Sequence, residues 1–558
     1  MLAPARARLA AGADRLRAAA RAFCARHRLR ERAADLWRRE QTQLLVSVAA
    51  TLAVFTFLRK PWLDGAYGAG GWELPSIAWE AVKGWRKLFM LLLPTYALLA
   101  TRTGLRWSDL EDGETFRPFL VGALLVWAWT PAFAHYNFYF DQPHTLDRLL
   151  ILGLVALTWK TPLAWPFAHW LAVAMYGQMS VPPLGDDRTD WMMVHDALLL
   201  FPVFLWTSIG RRPRMTHFLF IVLCNVGAYY FRPFISKLTS PPFGSWIWDN
   251  KLSNLFMASY AVGWLSFLPE GAVASFTRFL DKIQPVLGTL VLAMEGCGLL
   301  FFLRRRVTMV ALAGCALLHA AIFAFSGVFF WKWMALDVLL LLLVRRLDPK
   351  KLELFWLPRL FAPALALCVI VLSPERWFDP PTLTWFSGPL TRVMSLEAVG
   401  ASGAHYRVAP AFMAPYYKLF PQSSFAFLSP GRTVAGIYGG CSRARCLALE
   451  KVRTEADLAA VEKAHGKVSY DDAKARGFDR FIAKFFAAAN RRGTSFYWLA
   501  LPHPPAHIWI TARGVLYDFQ EPVVEVDVVE TLYLWDDVAL RTIRPPKIIR
   551  AIPVGSPR

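Results

Sequence analysis

The chain has 558 residues, of which 56% are hydrophobic and only 18% charged, and its mean hydropathy is +0.34. Soluble proteins carry about 25% charged residues, so this composition excludes an ordinary water-soluble globule and points to contact with a lipid bilayer. The net charge of +21 would suit nucleic acid, but the Lys and Arg fall in short clusters between apolar runs. With no recognised motif and no continuous basic face, no nucleic-acid partner is expected.

Residues 1–40 contain eleven Arg and four acidic residues. The basic stretch is too long for a secretory leader, and no small-residue cleavage site follows the first apolar run. The segment 1–42 therefore reads as a cytoplasmic amphipathic helix lying on anionic lipid.

Apolar runs follow at 43–58, 88–100, 118–133, 149–159, 163–179, 193–209, 217–231, 286–303, 307–325, 328–344 and 356–372. A perpendicular helix needs about 20 apolar residues to cross a bilayer, so the short second and fourth runs leave about ten to twelve spans, with about eleven preferred. The expected fold class is a polytopic α-helical membrane bundle over 43–373, followed by a C-terminal extracytoplasmic α+β domain over 374–558.

Orientation follows from Lys and Arg in short loops. With the amino terminus inside the plasma (inner) membrane, an odd number of spans puts Arg211-Arg212-Pro213-Arg214, Arg304-Arg305-Arg306 and Arg345-Arg346 in the cytoplasm. Asp186, Asp187 and Asp190 then fall outside. One loop runs against the rule: Arg59, Lys60, Lys83, Arg86 and Lys87 would lie outside. Three clusters against one decide the direction.

Beyond Ser373 the pattern changes to short alternating runs, such as 495–501, 507–511 and 522–529, which read as strands. Residues 454–465 and 471–490 have helical apolar spacing, and Asp471 is placed to cap the second helix. Cys441 and Cys446 bracket a polar loop, where a disulfide fits an oxidising compartment. Cys224, Cys297, Cys315 and Cys368 lie in apolar runs and read as small hydrophobes. No cysteine spacing suggests a metal, and none is predicted.

Ionisable groups inside a bilayer cost about 2.5–3.5 kcal/mol each on insertion scales. Glu295, His319 and Asp337 lie within spans. They read either as interhelical hydrogen-bonding groups that hold helices together or as an ion path. A second group collects at the expected outer face: His135, Asp141 and His144 after the third span, His195-Asp196 at the start of the sixth, and Lys237 at the end of the seventh. Trp246, Trp248 and Asp249 then open a segment reaching residue 280. It is too polar to cross and too apolar for a plain linker, and is expected to fold back over the site. A lysine at the end of a span normally snorkels to water with its charge intact. In a dry cavity, desolvation would instead let Lys237 act as a general base, with His144 as a proton shuttle or hydrogen-bond donor.

These segments resemble the HTTM superfamily, the membrane fold of vitamin K-dependent gamma-carboxylases and many bacterial proteins. Tyr139-Phe140-Asp141-Gln142-Pro143-His144-Thr145-Leu146 is similar to the family's outer-loop tyrosine–aspartate and histidine–leucine motif. Phe234-Ile235-Ser236-Lys237-Leu238, followed by Trp246, resembles its lysine–leucine and tryptophan motif. Glu295, the basic turn Arg304 to Arg306, and Leu318-His319 resemble its later glutamate and histidine helices. The resemblance spans roughly residues 43–346. It implies an enzyme in which Lys237 deprotonates a reduced quinone (a vitamin K hydroquinone-like cofactor) near His144, with a peptide or protein glutamate as carboxylation substrate. The chain departs from the carboxylases at Gln142-Pro143 and at Ile322, where they carry asparagines. Both changes remove hydrogen-bonding groups and argue against glutamate carboxylation as such.

Three functions follow as expectations. The first is a lipophilic-quinol enzyme at the outer face, for which Asp141, His135, His195, Trp246, Glu295 and His319 are the substrate-binding candidates. The second is a non-enzymatic maturation, export or immunity factor whose outer domain binds a polypeptide. The third is a transporter using Glu295, His319 and Asp337, although the internal repeat and broken helix pair that transporters favour are not evident.

Overall fold

The helix Met215–Leu238 is the axis of the molecule, because its apolar window is 83% buried where that of Glu40–Asp64 is 28% buried. A computed structural model describes residues 40–67, 76–79, 105–134, 144–177, 191–208, 212–356, 358–371, 380–413, 416, 425–436, 438–493, 503–511 and 514–555. The amphipathic segment expected before residue 40, the run 88–100, and the candidates His135 and Asp141 lie outside the described residues.

The structure is mostly helical, 65% by residue, with a C-terminal strand region. The helices are α1 (Glu40–Tyr67), α2 (Gly113–Phe133), α3 (Thr145–Thr158), α4 (Trp165–Gly177), α5 (Met192–Thr207) and α6 (Met215–Leu238). Short helices α7 (Ser245–Asp249), α8 (Leu252–Ala261) and α9 (Glu270–Lys282) lead into α10 (Gln284–Gly296), which tightens into a 3-10 turn over Cys297–Phe302. Then come α11 (Arg305–Ser326), α12 (Trp331–Arg346) and α13 (Pro358–Val371). Among the described residues, five helical stretches are long and apolar enough to cross a membrane: Glu40–Asp64, Gly113–Phe133, Met215–Leu238, Gln284–Phe302 and Arg305–Ser326. Helices serve this role because they satisfy their backbone hydrogen bonds internally in a solvent that offers none.

Helix α6 packs against α5, α10 and α13, while α11 lies along α12. The basic clusters converge at one end of this bundle. Arg214, which precedes α6, reaches Glu40 at 3.6 Å and Glu111 at 3.2 Å. Lys351 pairs with the neighbouring Asp112, and Arg305 donates to the Val344 carbonyl at 3.1 Å. Lys237 lies near the other end of the same 24-residue helix, roughly 35 Å away at 1.5 Å per residue.

At that opposite end sits the strand region. Strands β1 (Leu390–Gly400), β2 (His405–Arg407), β3 (Val523–Trp535) and β4 (Leu540–Pro553) form one antiparallel sheet in the order β2-β1-β3-β4. The register sets Leu390 opposite Leu534 and Ala398 opposite Val526. Helices α14 (Glu455–His465) and α15 (Asp472–Arg492) are both capped as their sequences require. Thr454 accepts from the Asp457 amide at 3.2 Å and Asp471 from the Lys474 amide at 3.0 Å. α15 buries Phe478, Phe481, Ile482, Phe485 and Phe486, three and four apart as a single helix face demands.

Two expectations are corrected and a third is extended. Arg59 lies inside α1, not in a loop, because the helix continues through Pro61 to Tyr67. Residues 507–511 form an isolated bridge, Ile508 with Val328, and not a strand. The run at 522–529 belongs to a strand that continues to Trp535 and pairs along β4. The expected strand at 495–501 lies outside the described residues.

Candidate functional site

Helix α6 carries Tyr229, Tyr230 and Lys237. Tyr230 and Lys237 are two turns apart and so share a face about 10 Å along the axis, whereas Tyr229 is turned about 100° away. Each side chain meets a different acidic group.

Helix α10 supplies the first. Gly227 of α6 and Gly298 meet backbone to backbone: a Cβ on Gly227 would lie 3.2 Å from the Gly298 oxygen, and one on Gly298 would lie 3.0 Å from the Gly227 oxygen. Small residues at a crossing let two helices approach closely. The approach brings Glu295, in the last turn of α10, against Lys237, whose ammonium donates to Glu295 Oε1. Both side chains are only 7% exposed. The Trp246 ring of α7 covers the ammonium, 4.8 Å from ring centroid to Nζ, a cation–π contact that strengthens away from water. The second carboxylate oxygen, Glu295 Oε2, is buried and accepts no hydrogen bond among the described residues.

The second acidic group is Asp337 of α12. The Tyr230 hydroxyl donates to Asp337 Oδ2 at 2.5 Å and lies 3.1 Å from His319 Nδ1. His319 packs against Phe330 and Trp333 at ring distances of 5.4 and 5.3 Å. The third is Asp196 of α5, which accepts from Arg59 Nε at 2.8 Å and from the Tyr229 hydroxyl at 2.8 Å. The adjacent His195 stacks on His169 with centroids 4.9 Å apart and lies 4.0 Å from Asp196.

No family model, curated protein or solved structure matches the chain.

The structure therefore brings together Lys237, Trp246 and Glu295 from the expected set, and separately His319 with Asp337. His144 is buried and starts α3 in a left-handed conformation with φ 46°, beside Arg148, which donates to the carbonyls of Ala132 and Ala134 at 2.8 and 2.9 Å. Among the described residues, Lys237 meets Glu295 and Trp246. Cys441 and Cys446 are joined in a disulfide.

Sequence reasoning passed over Tyr229, Tyr230 and Arg59. Two adjacent tyrosines within an apolar run were a usable signal, because a buried phenol needs a hydrogen-bond partner. Arg59 and Asp196 are opposite charges within apolar surroundings, and each announces the other.

Chemically, an ammonium and a carboxylate locked together in a dry site form a proton-transfer pair. The carboxylate takes up a proton at its open oxygen, and the ammonium holds the negative charge left behind.

Proposed function

We propose that this chain is a multi-pass protein of the plasma (inner) membrane, with about eleven spans, that acts on a lipophilic hydroxyl compound at its outer face. Its amino terminus is cytoplasmic and its C-terminal domain extracytoplasmic. Convergence of the Arg214, Arg305 and Lys351 regions on the end of α6 opposite Lys237 supports this direction. The observation that carries the activity is the buried Lys237–Glu295 pair, roofed by Trp246 and with Glu295 Oε2 open.

The HTTM-like motifs support a reduced quinone as the compound, and the residues fit one: an open carboxylate oxygen suits an acidic hydroxyl, and Phe231 and Phe234 offer apolar surface beside the site. Such a quinol would supply an ionisable hydroxyl and two reducing electrons. Glu295 accepts the hydroxyl proton at Oε2. The Lys237 ammonium stabilises the oxyanion electrostatically. Trp246 excludes the water that would weaken both effects. The base is thus the pair, with Glu295 as the atom that receives the proton.

The test uses the full-length protein in lipid nanodiscs with a soluble short-chain hydroquinone under oxygen, following quinone-ring absorbance. Glu295→Gln and Lys237→Ala should each reduce turnover at least a hundredfold while helical circular dichroism is retained. Full activity in either variant, or no turnover by the wild type, overturns the reading. A polypeptide-binding role for the C-terminal domain is then the better account.

A further inference from the structure

One face of the strand sheet carries a charge with no obvious use. The register places Arg392 of β1 opposite Leu532 of β3, which pairs in turn with Arg544 of β4. Two residues along, Met394, Glu530 and Lys547 form the next row of that face. Helix α14 and the segment 429–435 flank this face, leaving a cleft of about 760 Å³ lined by Arg392, Glu530 and Leu532.

Arg392 is the anomaly. Its side chain is 3% exposed, and none of its three guanidinium nitrogens makes a hydrogen bond among the described residues. The nearest counter-charge is Glu530, 3.6 Å away, beyond hydrogen-bond range. Burial pulls the Arg392 pKa down and pushes that of Glu530 up, so each ionised form lacks solvation. Arg544, by contrast, is fully committed: it donates to Glu455 at 3.1 Å and to both Glu462 oxygens at 2.9 and 2.8 Å. A buried guanidinium without a hydrogen-bond acceptor is costly, and a planar anion is the partner its fork matches best.

We propose that the cleft between α14 and the segment 429–435 binds a carboxylate, seated on Arg392 and carried on an apolar body. Charge selects a singly charged anion. Four basic residues line the cleft (Arg392, Arg432, Arg544 and Lys547) against three acidic ones (Glu455, Glu462 and Glu530), a surplus of one. A phosphate monoester would bring close to two negative charges beside Glu530. The volume lies within the range of organic-ligand pockets, and Leu390, Val434, Pro545 and Ile549 supply apolar wall. Pro545 and Pro546 interrupt the β3–β4 register between Lys547 and Arg544. Having no N–H to offer, they leave the edge without ladder donors there. The carboxylate has two chemical sources, a free organic acid or the terminus of a polypeptide, and the geometry of the fork serves both.

Calorimetry on the full-length protein in nanodiscs tests this with three probes: N-acetyl-leucyl-leucine as its free acid, the same dipeptide as its C-terminal amide, and isovalerate. The dipeptide acid should bind saturably and the amide at least tenfold more weakly. Binding of isovalerate as tight as the dipeptide acid identifies a free acid as the source, and weaker binding a polypeptide terminus. Arg392→Met should weaken binding at least tenfold, and Lys547→Ala, at the exposed rim, several-fold. Glu530→Gln should tighten it, a gain that misfolding cannot imitate. No saturable binding of either acid, equal binding of acid and amide, or full affinity in Arg392→Met overturns the proposal.

Discussion

Tyr229 and Tyr230, consecutive residues of α6, donate to two different buried carboxylates, Asp196 at 2.8 Å and Asp337 at 2.5 Å. The central helix therefore ties α5 to itself on one side and α12 on the other within a single turn. The two ties are unequal. Asp196 also accepts from Arg59, whereas Asp337 Oδ1 is buried and accepts nothing among the described residues.

From this inequality, Tyr230→Phe should cost more than Tyr229→Phe. Removing the donor to a buried carboxylate that accepts no other hydrogen bond among the described residues costs about 1–3 kcal/mol, and Asp196 keeps its arginine. Unfolding of the two variants in matched detergent should place the Tyr230→Phe midpoint several degrees lower. The reverse order would show that the Asp337 tie is not structural.

Breaking the Lys237–Glu295 pair on one side should destabilise strongly, by about 3–5 kcal/mol, because the remaining charge is stranded in an apolar site. Lys237→Met combined with Glu295→Leu should recover most of that loss. The double variant is expected to be folded and inactive, which separates the pair's structural role from its chemical one. A double variant no more stable than the singles contradicts this account.

The pH dependence of the strand region should include Glu521. Its carboxylate accepts from the Ser402 hydroxyl and amide, both at 2.6 Å, and from the Tyr406 hydroxyl at 2.8 Å. The Ser402 hydroxyl is the first cause of its lowered pKa, followed by the Ser402 amide and Tyr406. A depressed carboxylate stabilises the fold above its unfolded pKa, about 4.3, and that stabilisation is lost as pH falls through the folded value. Glu521→Gln should therefore flatten the acid limb of the stability curve and lower its neutral-to-alkaline plateau, where the ionised carboxylate contributes in full. Gly400→Ala should act similarly, since a Cβ there would lie 2.1 Å from the Glu521 carboxyl carbon.

Cys441 and Cys446 are five positions apart and bonded. Closing so short a loop is worth about 2 kcal/mol in the chain-entropy account. Cys441→Ser should lower the unfolding midpoint by a corresponding amount. If the domain is extracytoplasmic, an impermeant maleimide applied to intact cells should label the pair only after treatment with reductant. Labelling without reductant would count against the bond, and no labelling even after reductant would count against the location.

Much of the architecture was legible where local signals agreed. Thr454 and Asp471 announced α14 and α15 because a cap and an apolar periodicity coincide there. Strand β4 was hidden by Pro545-Pro546, which argue against a strand in general but are tolerated at a sheet edge. Strand β1 was hidden by Arg392, a charge on what turns out to be a buried face. In the site, Lys237 and Glu295 each stood out as charges in apolar runs. Their pairing did not, since they lie 58 residues apart and meet where Gly227 and Gly298 approach.

The short segment between α11 and α12 exchanges backbone hydrogen bonds with a distant stretch of chain. The Phe329 amide donates to the His507 carbonyl at 2.7 Å and the Trp509 amide to the Gly327 carbonyl at 2.8 Å. His507 follows Phe329 by 178 residues, so at roughly 5–20 residues per second the ribosome delivers this partner some 10–35 seconds later. During that interval the hairpin tip at 327–329 has been translated while the stretch that completes its hydrogen bonding has not. Final closure of the molecule is consequently a late event in biogenesis, set by the tail end of translation and not by insertion of the helices that precede it.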